Sequence, residues 1–243
     1  MTKTTIDQAM VLAAGLGTRM RPITDKIPKP LVKVAGKTLL DHALDSLAEV
    51  DVKDAAVNVH YLADQIERHT EQRAKPNIFI SDERETLLDS GGGVKRAIAP
   101  LSKEPFFILN ADSFWIDGNA SNLNTMQQAW NSDLMDMQLL VAPKNNSVGF
   151  EGKGDFFMNP QGQLARRGDA ESAPYVYAGA IITKPELFDQ VEESAFSLNR
   201  LFDEAISKDR LFGHVLDGLW LHVGTPPAIG EAEQAIEAFR QSV

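Results

Sequence analysis

The amino-acid sequence predicts an α/β fold of three layers, with a mostly parallel central sheet and helices on both faces. Short apolar or β-branched runs alternate with longer segments of helical periodicity. This strand–helix–strand order is typical of right-handed crossover units, which bury a sheet between two helical layers. With 243 residues, 43% of them apolar, the chain is long enough to bury such a core without disulfides or a structural metal.

The predicted elements follow in chain order. Apolar or β-branched runs bounded by turn-forming residues predict strands at 8–13, 55–59, 78–81, 106–110, 138–142, 177–183 and 219–223. Apolar residues at helical spacing predict helices at 38–49, 62–72, 92–98, 120–131 and 226–240. Residues 143–174 are rich in Gly, Asn and Pro, with short alternating pieces at 155–158 and 163–166, and predict a small β-hairpin insertion. We expect one domain, residues 1–243.

Charge and cysteine content exclude several classes of protein. The chain has no cysteine, which excludes a thiolate nucleophile, a disulfide scaffold and a cysteine-based zinc site. A net charge of −10 argues against nucleic acid as the main partner. No stretch approaches the roughly 20 apolar residues that cross a bilayer, so no membrane partner is predicted. The amino terminus does not resemble a signal peptide, and we expect a cytoplasmic protein. The sequence leaves the oligomeric state open.

Two glycines follow the first predicted strand. Gly15 and Gly17 would let backbone N–H groups approach a phosphate at the carboxyl edge of the sheet. The dinucleotide fingerprint needs a third glycine where this chain has Met20, and no Gly-Lys-Ser/Thr follows. Taken alone, the glycines are also compatible with an ordinary strand-to-loop turn.

The next segment concentrates positive charge. Residues 19–37 contain six basic side chains against one acid, Asp25: Arg19, Arg21, Lys26, Lys29, Lys33 and Lys37. Pro28 and Pro30 bracket Lys29 and bias it toward an extended conformation. A solvated surface lysine does not need that restraint, so we interpret the segment as a phosphate-binding loop.

The motifs resemble those of a known family. The pattern Leu-Ala-Ala-Gly-x-Gly-Thr-Arg-Met-x-Pro at 12–22, with Pro-Lys-Pro-Leu at 28–31, resembles the signature of the sugar-1-phosphate nucleotidylyltransferases. The similarity extends through 110–112, 178–179 and 220–225 and so covers nearly the whole chain. The resemblance implies the Rossmann-like nucleotide-diphospho-sugar transferase fold. It also implies a nucleoside triphosphate and a sugar 1-phosphate as the substrates.

Within the family, the short chain, the Gly91–Gly93 turn and the 152–156 segment most resemble the members that act on N-acetylmuramic acid 1-phosphate. That resemblance implies transfer of UMP from UTP by direct in-line displacement, releasing pyrophosphate and a UDP-sugar for peptidoglycan recycling. Guanylyl, thymidylyl or cytidylyl transfer to another sugar or alcohol phosphate is the alternative. A non-catalytic ligand-sensing relative is a third reading.

The reaction sets the demands on the catalytic residues. A phosphate monoester has a second pKa of about 6 and is already largely dianionic, so it needs positioning and charge neutralisation more than a strong base. The family resemblance implies that Arg19 contacts the triphosphate and stabilises the transition state. It also implies that Lys29 neutralises charge where the phosphates meet.

A metal site is implied at two positions. Asp112 follows the strand at 106–110, where an Asx turn and a metal ligand are equally compatible with the pattern; the resemblance implies a Mg²⁺ ligand. His222 stands where many relatives carry a second carboxylate. Imidazole suits Mn²⁺ better than Mg²⁺, so Mg²⁺ is the expected cofactor and Mn²⁺ the alternative. His222 would bind the metal, hold a water or phosphate, or simply pack.

The resemblance and the glycine positions also assign the binding residues. Nucleotide recognition is expected from backbone groups and small side chains near the ends of the first two predicted strands and at the start of the helix predicted at 92–98. These residues are Leu12, Ala13, Ala14, Gly15, Gly17, Thr18, Asn58, Ser90, Gly91 and Gly92. Sugar binding is expected from Asn110, Asp155, Tyr177 and Gly179. For Tyr177, packing in the core is an equal alternative.

Overall fold

The computed structural model describes residues 5–98, 104–192 and 194–242; the two ends of the expected domain lie outside them. The strands in these segments are β1 Gln8–Leu12, β2 Lys33–Val34, β3 Lys37–Thr38, β4 Asp54–Val59, β5 Asn77–Asp82, β6 Phe106–Asn110, β7 Ser113–Asp117, β8 Met137–Pro143, β9 Ser147–Val148, β10 Phe156–Met158, β11 Leu164–Arg166, β12 Tyr175–Thr183, β13 Leu211–Val215 and β14 Gly218–His222. The helices are α1 Leu39–Glu49, α2 Ala63–Thr70, α3 Asp89–Ile98, α4 Asn122–Ala129, α5 Glu186–Asp189, α6 Leu198–Ser207 and α7 Pro227–Ser242.

The α/β class is confirmed, and the first half of the sheet is parallel as predicted. Strands β6, β1, β4 and β5 lie side by side in that order, all parallel. Leu12 at the end of β1 is paired with Asn110 at the end of β6. The carboxyl ends of these strands therefore meet at one edge, where a doubly wound sheet binds its ligands.

The second half of the sheet corrects the prediction of a mostly parallel sheet. β12 is antiparallel to both β6 and β8, and only β13 runs parallel to its neighbour β8. The whole sheet is therefore mixed. The connection from β8 to β12 contains short strands and turns but no crossover helix, and an antiparallel pair does not require one.

The insertion is attached to the edge of β12. The two short pieces at 155–158 and 163–166 form β10 and β11, an antiparallel pair that contacts β12 where Phe156 pairs with Tyr175. The pairing of β12 with β8 is irregular between Tyr177 and Ile181. This bulge separates the part of β12 that pairs with β6 from the part that pairs with β10.

Helices cover both faces of the sheet. On one face, Leu44 of α1, Ile66 of α2 and Met126 of α4 are fully buried. On the other face the buried residues come from α3, α5 and α6, with Phe188 and Phe202 among them. None of the helices in the described segments combines the length and the apolar character needed to span a bilayer.

A smaller three-stranded sheet, in the order β7-β14-β9, lies beside the main one. β7 and β14 are antiparallel, and α7 covers this sheet through Ala232 and Ile236. Phe114 and Leu221 belong to the same buried cluster. The small sheet holds the residues that follow β6 against those near the end of the chain.

Candidate active site

The loop after β1 folds back over Lys29. Gly17 has a φ of +61°, in the left-handed region that favours glycine, and a Cβ there would lie 2.9 Å from the Cβ of Lys29. The Thr24 hydroxyl donates to the Gly17 carbonyl oxygen at 2.8 Å. Gly17 therefore permits close packing of the loop on Lys29.

Lys29 starts a short 3-10 turn, Lys29–Leu31, whereas the sequence predicted an extended residue; the extended residue is Pro28. Two hydrogen bonds hold the turn, from the Leu31 N–H to the Pro28 carbonyl and from the Val32 N–H to the Lys29 carbonyl. The side chain is buried, and its ammonium donates to Asp112 Oδ2 at 2.9 Å. The turn thus directs a lysine from the basic segment to the carboxyl end of β6.

The charge state of Asp112 follows from this pair. Burial would raise the pKa of Asp112, but the Lys29 ammonium, with smaller contributions from His222 and Arg19, lowers that pKa below its ordinary value of 3.8. Asp112 is therefore ionised at neutral pH. Its Oδ1 has no hydrogen-bond partner within the described residues and is available to a cation.

His222 lies beside this pair. It is paired with Ser113 across β7 and β14, and the Val223 N–H donates to the Asp112 carbonyl oxygen at 3.2 Å. Burial lowers the pKa of His222 below 6.5, and Asp112 only partly opposes that shift, so the imidazole is neutral at neutral pH. A Cβ on Gly224 would lie 2.8 Å from His222 Nε2 and 3.6 Å from Arg19 Nη1, so both side chains converge there.

The Lys29–Asp112 pair lines two adjoining cavities, and a third cavity adjoins one of them. The central cavity, of 290 Å³, is lined by the chain from Leu12 to Gly15, Lys29, Asn58, Ser90 and Asp112, among others. The loop cavity, of 350 Å³, is bounded by the chain from Gly15 to Met20 and includes Lys29, Asp112 and Gly224. The distal cavity, of 270 Å³, lies on the side of the insertion and includes Asp155, Arg166, Tyr177 and Phe202.

The shared walls define the path through the site. Gly15, Lys29 and Asp112 line both the central and the loop cavity. Leu12, Ser90 and Asn110 line both the central and the distal cavity. The ion pair therefore lies between the loop cavity and the central cavity, and the central cavity adjoins the distal one at Leu12, Ser90 and Asn110.

Asn58 supports the loop from behind. Its Oδ1 accepts a hydrogen bond from the Ala13 N–H at 2.7 Å, and its Nδ2 donates to Glu83 Oε1 at 2.7 Å. Glu83 is completely buried and accepts a second bond from the Leu88 N–H at 3.1 Å. Sequence reasoning missed Glu83; its only signal was an acid directly after an apolar strand.

An amide in place of the Glu83 carboxyl group tests this support. Glu83→Gln presents an NH₂ group to one of two donors, Asn58 or the Leu88 N–H, so we expect a loss of about 1–3 kcal/mol in the free energy of unfolding. Urea unfolding measures this loss. The matched control is Glu85→Gln, an exposed neighbour, which is expected to stay within about 0.5 kcal/mol of wild type. Equal stabilities of the two variants would contradict the assigned role.

The Ser90-Gly91-Gly92 segment is not the turn that the sequence predicted. It lies in the first turn of α3, which begins at Asp89. The N–H groups of Gly91 and Gly92 both donate to the Phe196 carbonyl oxygen, at 2.8 and 3.1 Å. A Cβ on Gly91 would lie 2.3 Å from the Phe196 ring. These glycines serve close packing of the chain near Phe196, and Ser90 alone of the three lines the cavities.

The predicted sugar residues are only partly brought together. Asn110, Asp155 and Tyr177 line the distal cavity, and Asp155 Oδ2 accepts a hydrogen bond from the Tyr177 N–H at 2.9 Å. Gly179 lies in the bulge of β12 with a φ of +92°, where a Cβ would be 2.5 Å from Ser113 Oγ. Gly179 thus admits Ser113 behind the cavity wall but does not itself line the distal cavity.

The side chains at this site fit a divalent cation whose remaining coordination positions are filled by a bound phosphate and water. The described residues contain no cluster of three metal-binding side chains. They offer the ionised Asp112, whose Oδ1 has no protein partner there, and the neutral His222 nearby. Mg²⁺ is often held by one or two carboxylates with phosphate oxygens and water filling the other positions. The pair fits that pattern once a phosphate is bound.

The fold is an α/β sheet whose parallel strands end at a glycine loop, and a buried lysine–aspartate pair lines two cavities there, an arrangement typical of enzymes with phosphorylated substrates. A family model described as nucleotidyl transferase matches residues 8–150. The chain belongs to this family.

Individual relatives are more specific. The chain is 45% identical to N-acetylmuramate alpha-1-phosphate uridylyltransferase of Caulobacter vibrioides, over 93% of the chain and 95% of the relative. It is 30% identical to the enzyme of that name in Neisseria meningitidis, over 96% of the chain and all of the relative. The inositol-1-phosphate CTP transferase of T. maritima shares the fold, with a TM-score of 0.77 at 17% identity over 99% of each chain.

Proposed function

We propose that this protein transfers UMP from UTP to N-acetylmuramic acid 1-phosphate, forming UDP-N-acetylmuramic acid and pyrophosphate. One observation supports the proposal for this site: the Lys29–Asp112 pair lines both the central and the loop cavity, and the central cavity shares Leu12, Ser90 and Asn110 with the distal one. The choice of uridine and muramate rests on the two relatives with that activity in their names. UTP supply and peptidoglycan recycling place such a reaction in the cytoplasm.

Each cavity takes one part of the substrates. The uracil and ribose lie in the central cavity against the main chain of Leu12 to Gly15, and the β- and γ-phosphates extend into the loop cavity beside Arg19. The sugar occupies the distal cavity, with its phosphate directed at the ion pair. The two phosphates then approach each other at Lys29, whose buried ammonium neutralises part of their combined charge.

The reaction is a single displacement. An oxygen of the sugar phosphate attacks the α-phosphorus of UTP and forms the new P–O bond, while the bond to the β-phosphate oxygen breaks and pyrophosphate leaves. No proton has to be removed from the dianionic nucleophile. Lys29 and Arg19 hold the substrates in line and stabilise the charge that moves toward the leaving group.

Asp112 and His222 would hold the divalent cation, Mg²⁺ or Mn²⁺. When bound, the cation neutralises phosphate charge and stabilises the leaving pyrophosphate. The protein's own role is to keep Asp112 ionised. Lys29 does so by lowering the pKa of that carboxyl. Burial of His222 keeps its imidazole neutral, the form that coordinates metals.

Pyrophosphate release across a matrix of nucleoside triphosphates and sugar 1-phosphates tests the proposal. We expect turnover with UTP and N-acetylmuramic acid 1-phosphate, in Mg²⁺ and in Mn²⁺, at a kcat/KM at least about tenfold above every other pair. A tenfold preference corresponds to about 1.4 kcal/mol of differential transition-state binding. Turnover only with GTP, dTTP or CTP would overturn the uridylyl assignment. Absence of turnover with every pair would overturn the enzymatic function.

A further inference from the structure

The distal cavity contains a positively charged side chain that the proposed reaction does not use. Arg166, at the end of β11, is the single basic side chain among the described residues that line this cavity. Its guanidinium carbon lies 5.0 Å from the ring centre of Phe156 and 5.6 Å from that of Phe202. Nε donates to Asp203 Oδ1 at 2.7 Å, and Nη2 donates to Asn199 Oδ1 at 2.9 Å. The guanidinium is therefore held in one orientation.

Two donors at this cavity have no protein partner. Within the described residues, no hydrogen bond involves Arg166 Nη1. The Tyr177 hydroxyl is buried and has no partner there either. Satisfied polar groups are the rule in protein interiors, so an unpaired buried hydroxyl indicates a missing ligand or water. Both groups can donate a hydrogen bond to a neutral or an anionic acceptor.

The ion pair with Asp203 does not account for Arg166. The Asp203 side chain is 63% exposed, and such a solvent-exposed pair contributes only about 0–1 kcal/mol. Two aromatic rings and an asparagine also orient the guanidinium, which is more restraint than a surface pair needs. A fixed guanidinium with a free N–H is instead typical of sites that bind a carboxylate or a phosphate.

The polar groups of the cavity indicate which sugar it fits. Asp155 Oδ1 has no partner among the described residues and can accept hydrogen bonds from sugar hydroxyl or amide groups. Arg166 needs an acceptor, best an anionic one. A neutral pyranose would satisfy Asp155 but would place no charge against the guanidinium. A pyranose that carries a carboxylate satisfies both groups.

We infer that Arg166 binds a carboxylate of the sugar and makes the protein selective for an acidic sugar 1-phosphate. This inference rests on the proposed function, and it names the sugar carboxylate of N-acetylmuramic acid 1-phosphate as the group that Arg166 contacts. Arg166 is thus a specificity residue in the distal cavity, which the Lys29–Asp112 pair does not line. It is distinct from Lys29 and Arg19, which act on those phosphates.

The experiment is a thermodynamic cycle that combines one change in the protein with one change in the substrate. Wild type and Arg166→Met are each assayed with UTP and either N-acetylmuramic acid 1-phosphate or its carboxamide, which keeps the size of the substituent but removes its charge. Methionine keeps an apolar stem against Phe156 and Phe202. We expect either single change to lower kcat/KM about 10- to 100-fold, as for loss of a hydrogen bond to a charged group. The double change is expected to cost no more than one of them.

A neutral substrate and a second variant separate this role from a structural one. With N-acetylglucosamine 1-phosphate, which lacks the acid substituent, Arg166→Met is expected to match wild type within about twofold. Lys208→Met removes an exposed charge just after the end of α6 and is expected to match wild type on every substrate. Arg166→Lys is expected to recover part of the activity with the acid.

Three results would overturn the inference. The first is an equal loss by Arg166→Met on the acid, its amide and the neutral sugar, which would make Arg166 structural. The second is losses that multiply in the crossed experiment, because the two groups would then act independently. The third is a wild-type enzyme that does not discriminate acid from amide. If wild type does not turn over N-acetylmuramic acid 1-phosphate but uses another sugar phosphate, the proposed function itself fails.

Discussion

Lys29→Met lowers kcat/KM for UMP transfer by about 10³-fold in our account. The buried ammonium is the positive charge that both the central and the loop cavity share, and loss of one preorganised donor to a developing charge costs about 10²–10³-fold. Lys29 also holds the catalytic carboxylate, so its loss affects Asp112 as well. Steady-state pyrophosphate release at saturating UTP measures the effect, which should be seen mainly in kcat.

The same variant changes the response to acid. The pKa of Asp112 is lowered in the folded chain, mainly by Lys29 against the opposing effect of burial. The pair therefore contributes stability above the ordinary pKa of 3.8, which applies to the unfolded chain, and this contribution is lost as pH falls through the lower folded pKa. Lys29→Met should lose that contribution. Lys33→Met, exposed in the same basic segment, should keep wild-type activity within about twofold; an equal loss in both would contradict a specific role for Lys29.

Asp112→Asn is the second change with a large expected effect. The amide keeps the shape and an acceptor for Lys29, but it removes the negative charge that would hold a divalent cation. We expect about a 10³-fold loss of kcat/KM, comparable to the loss of one preorganised electrostatic group. The apparent affinity for Mg²⁺ or Mn²⁺ in the assay should also fall by at least about tenfold.

The matched control for this change is Asp25→Asn. Asp25 is exposed and pairs with Arg21 on the surface of the basic segment, where such pairs contribute little. Its variant should have wild-type kcat/KM and wild-type dependence on metal concentration. An Asp112→Asn protein with normal metal dependence would show that the cation is held elsewhere.

The sequence was most informative where apolar strands end. Leu12, Asn110 and Asp112 could be placed together because each follows or ends a buried strand, and parallel strands bring those ends to one edge. The family resemblance singled out Lys29, but its two prolines did not give it the extended conformation predicted for it, since Lys29 begins a 3-10 turn. Helix α6 was missed even though Leu198, Leu201, Phe202 and Ala205 show helical spacing, so that signal was present in the sequence.

Other features depend on contacts between distant parts of the chain. Gly91 and Gly92 were expected to read a nucleotide base, but Phe196, about a hundred positions away, takes both of their N–H groups. The buried Glu83 likewise accepts a hydrogen bond from Asn58, which is 25 positions away in the sequence. The antiparallel half of the sheet follows from how β12 meets β6 and β8, which local periodicity does not encode.

In the proposed reaction, the two substrates react directly with each other at the Lys29–Asp112 pair. Exchange of labelled pyrophosphate into UTP by the wild-type protein tests it most directly, measured with and without N-acetylmuramic acid 1-phosphate. Direct displacement predicts no exchange until the sugar phosphate, or the UDP-sugar formed from it, is present. Rapid exchange with UTP and pyrophosphate alone would reveal a covalent uridylyl-enzyme and would contradict direct displacement.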